Sequence, residues 1–284
     1  MFRPTRRRFL KGAAAAFAAP YLISSAALGA DKPADAGGKT KIILIGHKPD
    51  HPPGTHEYLH ECGLLATCLR QTPGVEAVVS DRWPTDAAVL DGATAVFLYS
   101  GPGAELLLKG PHADEVERLM KRGLGLTALH WATGIGNKDD QQLADRYLAL
   151  LGGLFGLASS GMDTTDARAE QVDPAHPICR GWSAFDLKDE FYLNLKFLPE
   201  SKPILKVRVK DKEHTVAWAY ERPGASGGRS YGNVLGHFHG LFGLEPFRRA
   251  IVNGILWTAH REVPPEGAPC KVTDQDMALK PAKA

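Results

Sequence analysis

Short apolar runs alternate with segments of helical spacing through the first half of the chain, and this alternation narrows the fold more than any other feature. The runs are Lys41 to Gly46, Val75 to Val79, Ala95 to Tyr99 and Gly125 to Leu129. Each has the length of a strand, and the first has the unbroken apolar character of a strand buried on both faces of a parallel sheet. Between the first two, Tyr58, Cys62, Leu65, Ala66 and Leu69 share a helical face, with Thr55 expected as N-cap and Glu57 in the first turn. Pro111 opens a helix faced by Val116, Leu119 and Met120 and closed by Gly123, and Gln141 to Leu151 predicts another. The pattern implies an α/β fold: a doubly wound, mostly parallel sheet with right-handed crossovers. Additional short strands are expected in the C-terminal half, near Ile204 to Val209, Thr215 to Ala219 and Val234 to His239. Pro246 then starts a final helix with Phe247, Ala250, Ile251, Gly254, Ile255 and Thr258 along one side.

The ends are of another character. Thr5-Arg6-Arg7-Arg8-Phe9-Leu10-Lys11 matches the twin-arginine export pattern, and an alanine-rich apolar stretch follows to about Leu28. We read residues 1–30 as a twin-arginine signal peptide, 31–40 as a linker, 41–265 as the α/β domain and 266–284 as an extended tail. An exported, periplasmic protein is expected, with the twin-arginine export machinery as a partner; an uncleaved segment would instead leave a membrane anchor. That route carries folded proteins, which favours a bound metal or cofactor.

Removing residues 1–30 takes away Arg3, Arg6, Arg7, Arg8 and Lys11 and no acid, so the formal charge of +2 becomes −3 (2 − 5). No basic stripe or aromatic–basic interleaving remains, which argues against nucleic acid as a partner. Gly101-Pro102-Gly103 and Gly134-Ile135-Gly136 lack the spacing and lysine of a phosphate loop, so no nucleotide cofactor is expected. Cys62 and Cys68 fall on different faces of one predicted helix, and Cys179 and Cys270 are isolated. Buried, inert thiols are the favoured reading, with a Cys179–Cys270 bridge left open for an oxidising compartment.

Histidines carry the functional case. His51 and His56 follow the first strand, His130 ends the fourth, and His237 and His239 close a later one. Ligands of open α/β sheets bind beyond the carboxyl ends of the strands, so three remote stretches converge on one rim. If Val234 to His239 is a strand, His237 and His239 point the same way with Cα atoms about 6.6 Å apart. His51, His237 and His239 are then expected to hold a divalent metal, zinc by their neutral nitrogen donors. Asp189 and Glu190, if on a strand, face opposite sides. Glu190 is the expected general acid or base, and Asp189 a positioning residue. His130 completes the expected catalytic set. His56, Glu57, Trp131, Trp218 and Arg229 are candidates for substrate binding, the two tryptophans being equally suited to the core.

Several stretches together resemble one family. They are Asp50-His51-Pro52-Pro53-Gly54-Thr55-His56-Glu57, Ala128-Leu129-His130-Trp131, His176-Pro177-Ile178, Asp189-Glu190-Phe191-Tyr192, Val216-Ala217-Trp218, Gly228-Arg229, Gly236-His237-Phe238-His239 and Asn253-Gly254-Ile255-Leu256-Trp257-Thr258. The chain is similar in these to the ThuA-like (trehalose-utilisation) family, which implies a class I glutamine amidotransferase-like, flavodoxin-like fold. The resemblance implies sugar metabolism on a small carbohydrate substrate, a disaccharide or an oxidised (keto) sugar. Glutamine amidotransferases place a nucleophilic cysteine on a tight turn after a central strand. Here the turn reads Thr127-Ala128-Leu129-His130-Trp131, without Cys or Ser, so amide hydrolysis through a thioester is disfavoured. Acid/base hydrolysis or elimination on a glycoside or keto-sugar is the leading expectation, and a non-catalytic carbohydrate-binding or accessory role the alternative.

Overall fold

The computed structural model describes residues 39–279 except Ala225. The expected signal peptide, most of the linker and residues 280–284 therefore lie outside the described residues. In chain order the strands are β1 (Thr40–Gly46), β2 (Val75–Ser80), β3 (Ala93–Tyr99), β4 (Gly125–Leu129), β5 (Gly153–Leu154), β6 (Gly161–Gln171), β7 (Phe185–Leu193), β8 (Lys196–Phe197), β9 (Lys202–Val209), β10 (Lys212–Glu221) and β11 (Arg229–Asn233). The helices are α1 (Tyr58–Leu69), α2 (Ala87–Leu90), α3 (Gly103–Leu108), α4 (Ala113–Lys121), α5 (Gln141–Leu151), α6 (Glu245–Thr258) and α7 (Asp274–Met277).

The four apolar runs are the first four strands, and they pair in parallel with one another and with β11 in the order β2-β1-β3-β4-β11. Antiparallel β10, β9, β6 and β7 extend this core to nine strands, while β5 pairs with β8 alone. Ile42 to Ile45 and Ala95 to Tyr99 are fully buried, as strands covered on both faces must be. Helices α1 and α6 pack on each other, and α3 packs on α4 and α5. Strand order reverses between β1 and β3, and the crevice beyond the carboxyl ends at such a reversal is where α/β sheets take ligands.

Four local expectations are corrected. Thr55 does not cap α1: its hydroxyl donates to Pro52 O at 2.6 Å, and Glu57 holds the cap position. Val234 to His239 is not a strand, because pairing stops at Asn233 and Gly236 takes a positive φ of 110°, which turns the chain. Strand β6 was not expected, and β7 only as a condition on Asp189 and Glu190, since exposure alternates along polar β6 and only one face of it meets the protein. The expected extended tail is extended in part but folded onto the domain. Ala268 and Cys270 are buried, Ala268 N donates to Asn253 Oδ1 (2.9 Å), Lys271 N donates to Gln71 Oε1 (3.0 Å), and Arg248 Nε reaches Cys270 O (3.2 Å). Its partners are side chains of other elements, so no periodicity marks it in sequence.

All four cysteines are free and buried. Burial pushes the Cys68 and Cys179 thiols up to about 12, which keeps them unreactive.

Candidate functional site

Two loops at the carboxyl ends of the sheet are tied together before any side chain meets. Thr55 bridges Phe238, His56 N donates to His237 O (3.1 Å), and His239 N donates to Gly54 O (2.9 Å). Fully buried Asp189 on β7 accepts from Gly236 N (2.7 Å) and His237 N (3.1 Å), and the Tyr99 hydroxyl donates to Gly236 O. The turn carrying His237 is thus held from below. His130 directly follows β4 with φ 52°, and His56 has φ 51°. Left-handed backbone at a non-glycine residue costs about 1–3 kcal/mol and gathers at functional sites. His130 therefore stands on a sharp turn at the carboxyl end of β4, at the head of a short 3-10 turn.

Three imidazoles meet there. His56 Nε2 lies 3.0 Å from His237 Nδ1 and 3.1 Å from His130 Nε2, and His237 Nδ1 lies 3.3 Å from His130 Nε2. Hydrogen bonding settles two of the tautomers. His130 Nδ1 is 2.8 Å from Val234 O, which only accepts, so Nδ1 carries the proton and Nε2 a lone pair. His56 Nδ1 is 2.8 Å from Asp50 Oδ1, so its Nε2 likewise faces inward as a lone pair. Burial lowers the pKa of His56 and His130, and it brings His237 down to about 4 with the help of His56 and His51. All three rings are neutral at pH 7. Partial burial alone would raise Asp50, but hydrogen bonds from His51 and His56 hold it below the usual carboxylate range.

Lone pairs this close repel unless a proton or cation lies among them. Tetrahedral zinc with Zn–N near 2.05 Å sets its nitrogens about 3.3 Å apart, so the trio fits that ion. A carboxylate and a carbonyl behind the ligand rings are the outer-shell partners such sites use. Glu190 Oε1 stands 3.7 Å from both His130 Nε2 and His237 Nδ1, with a fifth of its side chain exposed. Burial raises its pKa, opposed by His51 and a hydrogen bond from Tyr192. The Tyr192 hydroxyl also lies 3.0 Å from His130 Nε2, and its ring stacks on Phe155.

Of the expected ligands, only His237 belongs to the trio. Half-exposed His51 sits at the mouth, its Nδ1 2.7 Å from Asp50 Oδ1. Past the turn at Gly236, His239 points away: its Nδ1 lies 2.5 Å from Glu61 Oε1 and its Nε2 2.8 Å from Met277 O. His56, expected to bind substrate, is an inward donor instead. Trp131 lines the mouth, its ring 6.2 Å from those of His51 and His56. Glu57 accepts from Gly54 N (2.9 Å) and braces the loop rather than facing the trio. Trp218 is wholly buried and donates to Leu151 O at 2.8 Å, so it is a core residue. Arg229 begins β11 and stacks on Trp257, 4.9 Å from the ring centre. Four rises of about 3.3 Å put it some 13 Å along the strand from the site end. Sequence reasoning gave no role to Asp50 or Tyr192. The signal for Tyr192 was present: it is two residues from Glu190 on a strand and shares its face.

The ThuA family model, described as trehalose utilisation, matches residues 45–258. The chain belongs to the ThuA family. Among curated proteins no relative matches. Two solved structures described as ThuA-like proteins are similar to it. One, from Bacteroides uniformis, is 16% identical with a TM-score of 0.57, over 80% of this chain and 94% of that one. The other, from Parabacteroides merdae, is 14% identical with a TM-score of 0.55, over 85% and 100%. At these identities the likeness concerns the fold, and the site rests on the geometry above.

Proposed function

We propose that this ThuA family member is a hydrolase or lyase of a small carbohydrate, a glycoside or keto-sugar, with Glu190 as general acid or base beside a divalent-metal site of His56, His130 and His237. The observation that carries this reading is the meeting of three neutral imidazole nitrogens, 3.0–3.3 Å apart, beneath the Glu190 carboxylate. Asp50 orients His56, Val234 O orients His130, and Asp189 fixes the turn that aims His237. A bound zinc ion would supply Lewis-acid polarisation of a substrate oxygen. Trp131 and His51 at the mouth offer a face and a polar edge to a sugar ring. Tyr192 holds the Glu190 carboxyl in line with the cluster. The binding-only alternative has lost Trp218 and Arg229 as contacts.

The test uses the mature protein with disaccharides and their keto derivatives, read by product mass, with metal content measured in parallel. His130→Ala is expected to lose the cluster's ion and to lower turnover by at least 100-fold, since one donor and its buried orienting bond go together. Chelated protein that keeps full turnover would remove the ion from the mechanism.

We propose also that the chain is exported, on the strength of Arg6-Arg7 and the apolar stretch behind them. Replacing both arginines by lysine is expected to leave the protein inside the cell, as fractionation would read; unchanged export would end this reading.

A further inference from the structure

We propose that His60, Glu61 and His239 form a second divalent-cation site, separate from the His56–His130–His237 cluster, that pins the C-terminal segment to the loop carrying His237. The inference does not depend on the sugar chemistry.

The ring of His239 has one tautomer fixed by its surroundings. Its Nε2 lies 2.8 Å from Met277 O, and a carbonyl can only accept, so Nε2 carries the proton. In the neutral ring the lone pair is then on Nδ1, which faces Glu61 Oε1 at 2.5 Å. At that separation the two share a proton, and a metal ion taking that proton's place would part them to about 3 Å. Glu61 is fully buried, in the first turn of α1, and its Oε2 accepts no hydrogen bond from any described residue. A buried carboxylate so placed calls for a cation or a proton. His60, the residue before it, brings a ring nitrogen into the group, and one donor atom from each of the three lies within 4.8 Å of the others. The rings of His60 and His239 approach edge-on with centroids 5.3 Å apart. Two imidazoles and a carboxylate make a zinc-type donor set, and Met277 O behind His239 is the outer-shell partner that fixes its tautomer. Because His239 N is bonded to Gly54 O and Met277 opens the way to the chain end, an ion here would fasten both site loops and α7 together.

The experiment loads the full chain with zinc alone and counts bound ions by native mass spectrometry. Two equivalents are expected in the wild type, one in Glu61→Gln, one in His130→Ala and none in the double variant. Zinc should also slow amide exchange over residues 271–277 in the wild type and in His130→Ala, but not in Glu61→Gln. If Glu61→Gln does not fold, His239→Gln provides the same comparison. A wild type that binds no ion, or a Glu61→Gln count equal to the wild type's, would overturn the proposal and leave a shared proton as the occupant; a single ion lost in Glu61→Gln and kept in His130→Ala would remove the first cluster alone. A His130→Ala protein that keeps both ions would sink the first cluster while the second stands.

Discussion

Glu190→Gln in the mature protein is expected to lower turnover by about 10²–10⁴-fold, the usual worth of a placed proton-transfer group, with fold and zinc content unchanged. Glutamine keeps the shape and one acceptor but moves no proton. The carboxylate is not committed to the cluster: at 3.7 Å from His130 Nε2 and His237 Nδ1 it lies beyond hydrogen-bond reach of either. Its raised pKa, caused first by burial, brings it nearer to working pH, where an acid/base group is most effective. The variant should also lose the limb of the pH–rate profile that Glu190 sets, the acid limb if it works as base and the basic limb if it works as acid. Turnover within about threefold of the wild type would remove Glu190 from the chemistry.

Asp189→Asn is expected to cost about 1–3 kcal/mol, because the amide NH₂ would face one of the two buried N–H groups that both carboxylate oxygens now accept from. For a chain this size that is a Tm fall of roughly 2–12 °C. Burial pushes the Asp189 pKa up to about 7 against the opposing N–H bonds of Gly236, Glu190 and His237, whereas an aspartate in an unfolded chain titrates near pH 4. The protonated form is thus the one folding favours. Its stabilising contribution is complete below about pH 4 and is lost as pH rises through about 7. Calorimetry across that window should show the wild type losing stability more steeply than Asp189→Asn. Parallel curves would mean that the carboxyl does not titrate in the fold.

What sequence could reveal followed the physics of each segment. The cores of β1, β3 and β4 were legible because strands buried on both faces must be apolar throughout. The opposed faces of Asp189 and Glu190 followed from strand periodicity alone. Strand β6 was hidden because Thr164, Asp166 and Arg168 face solvent and resemble a loop in composition. The ligand trio was only partly legible. Spacing located the histidines at the right rim, but ring direction depended on the turn at Gly236 and the left-handed backbone at His56 and His130. Neither is visible in residue types. Arg229 was misplaced for a related reason, since it lies at the amino end of a strand whose carboxyl end feeds the site.

The family match stops at Thr258, yet the fold does not. Asn253 gives its amide to Ile178 O and Arg180 O and takes Ala268 N in return, so one side chain stitches three parts of the chain. Anyone trimming this protein to the span that similarity recognises would sever that stitch and strip the covering from α6. Its natural border lies at least as far on as α7.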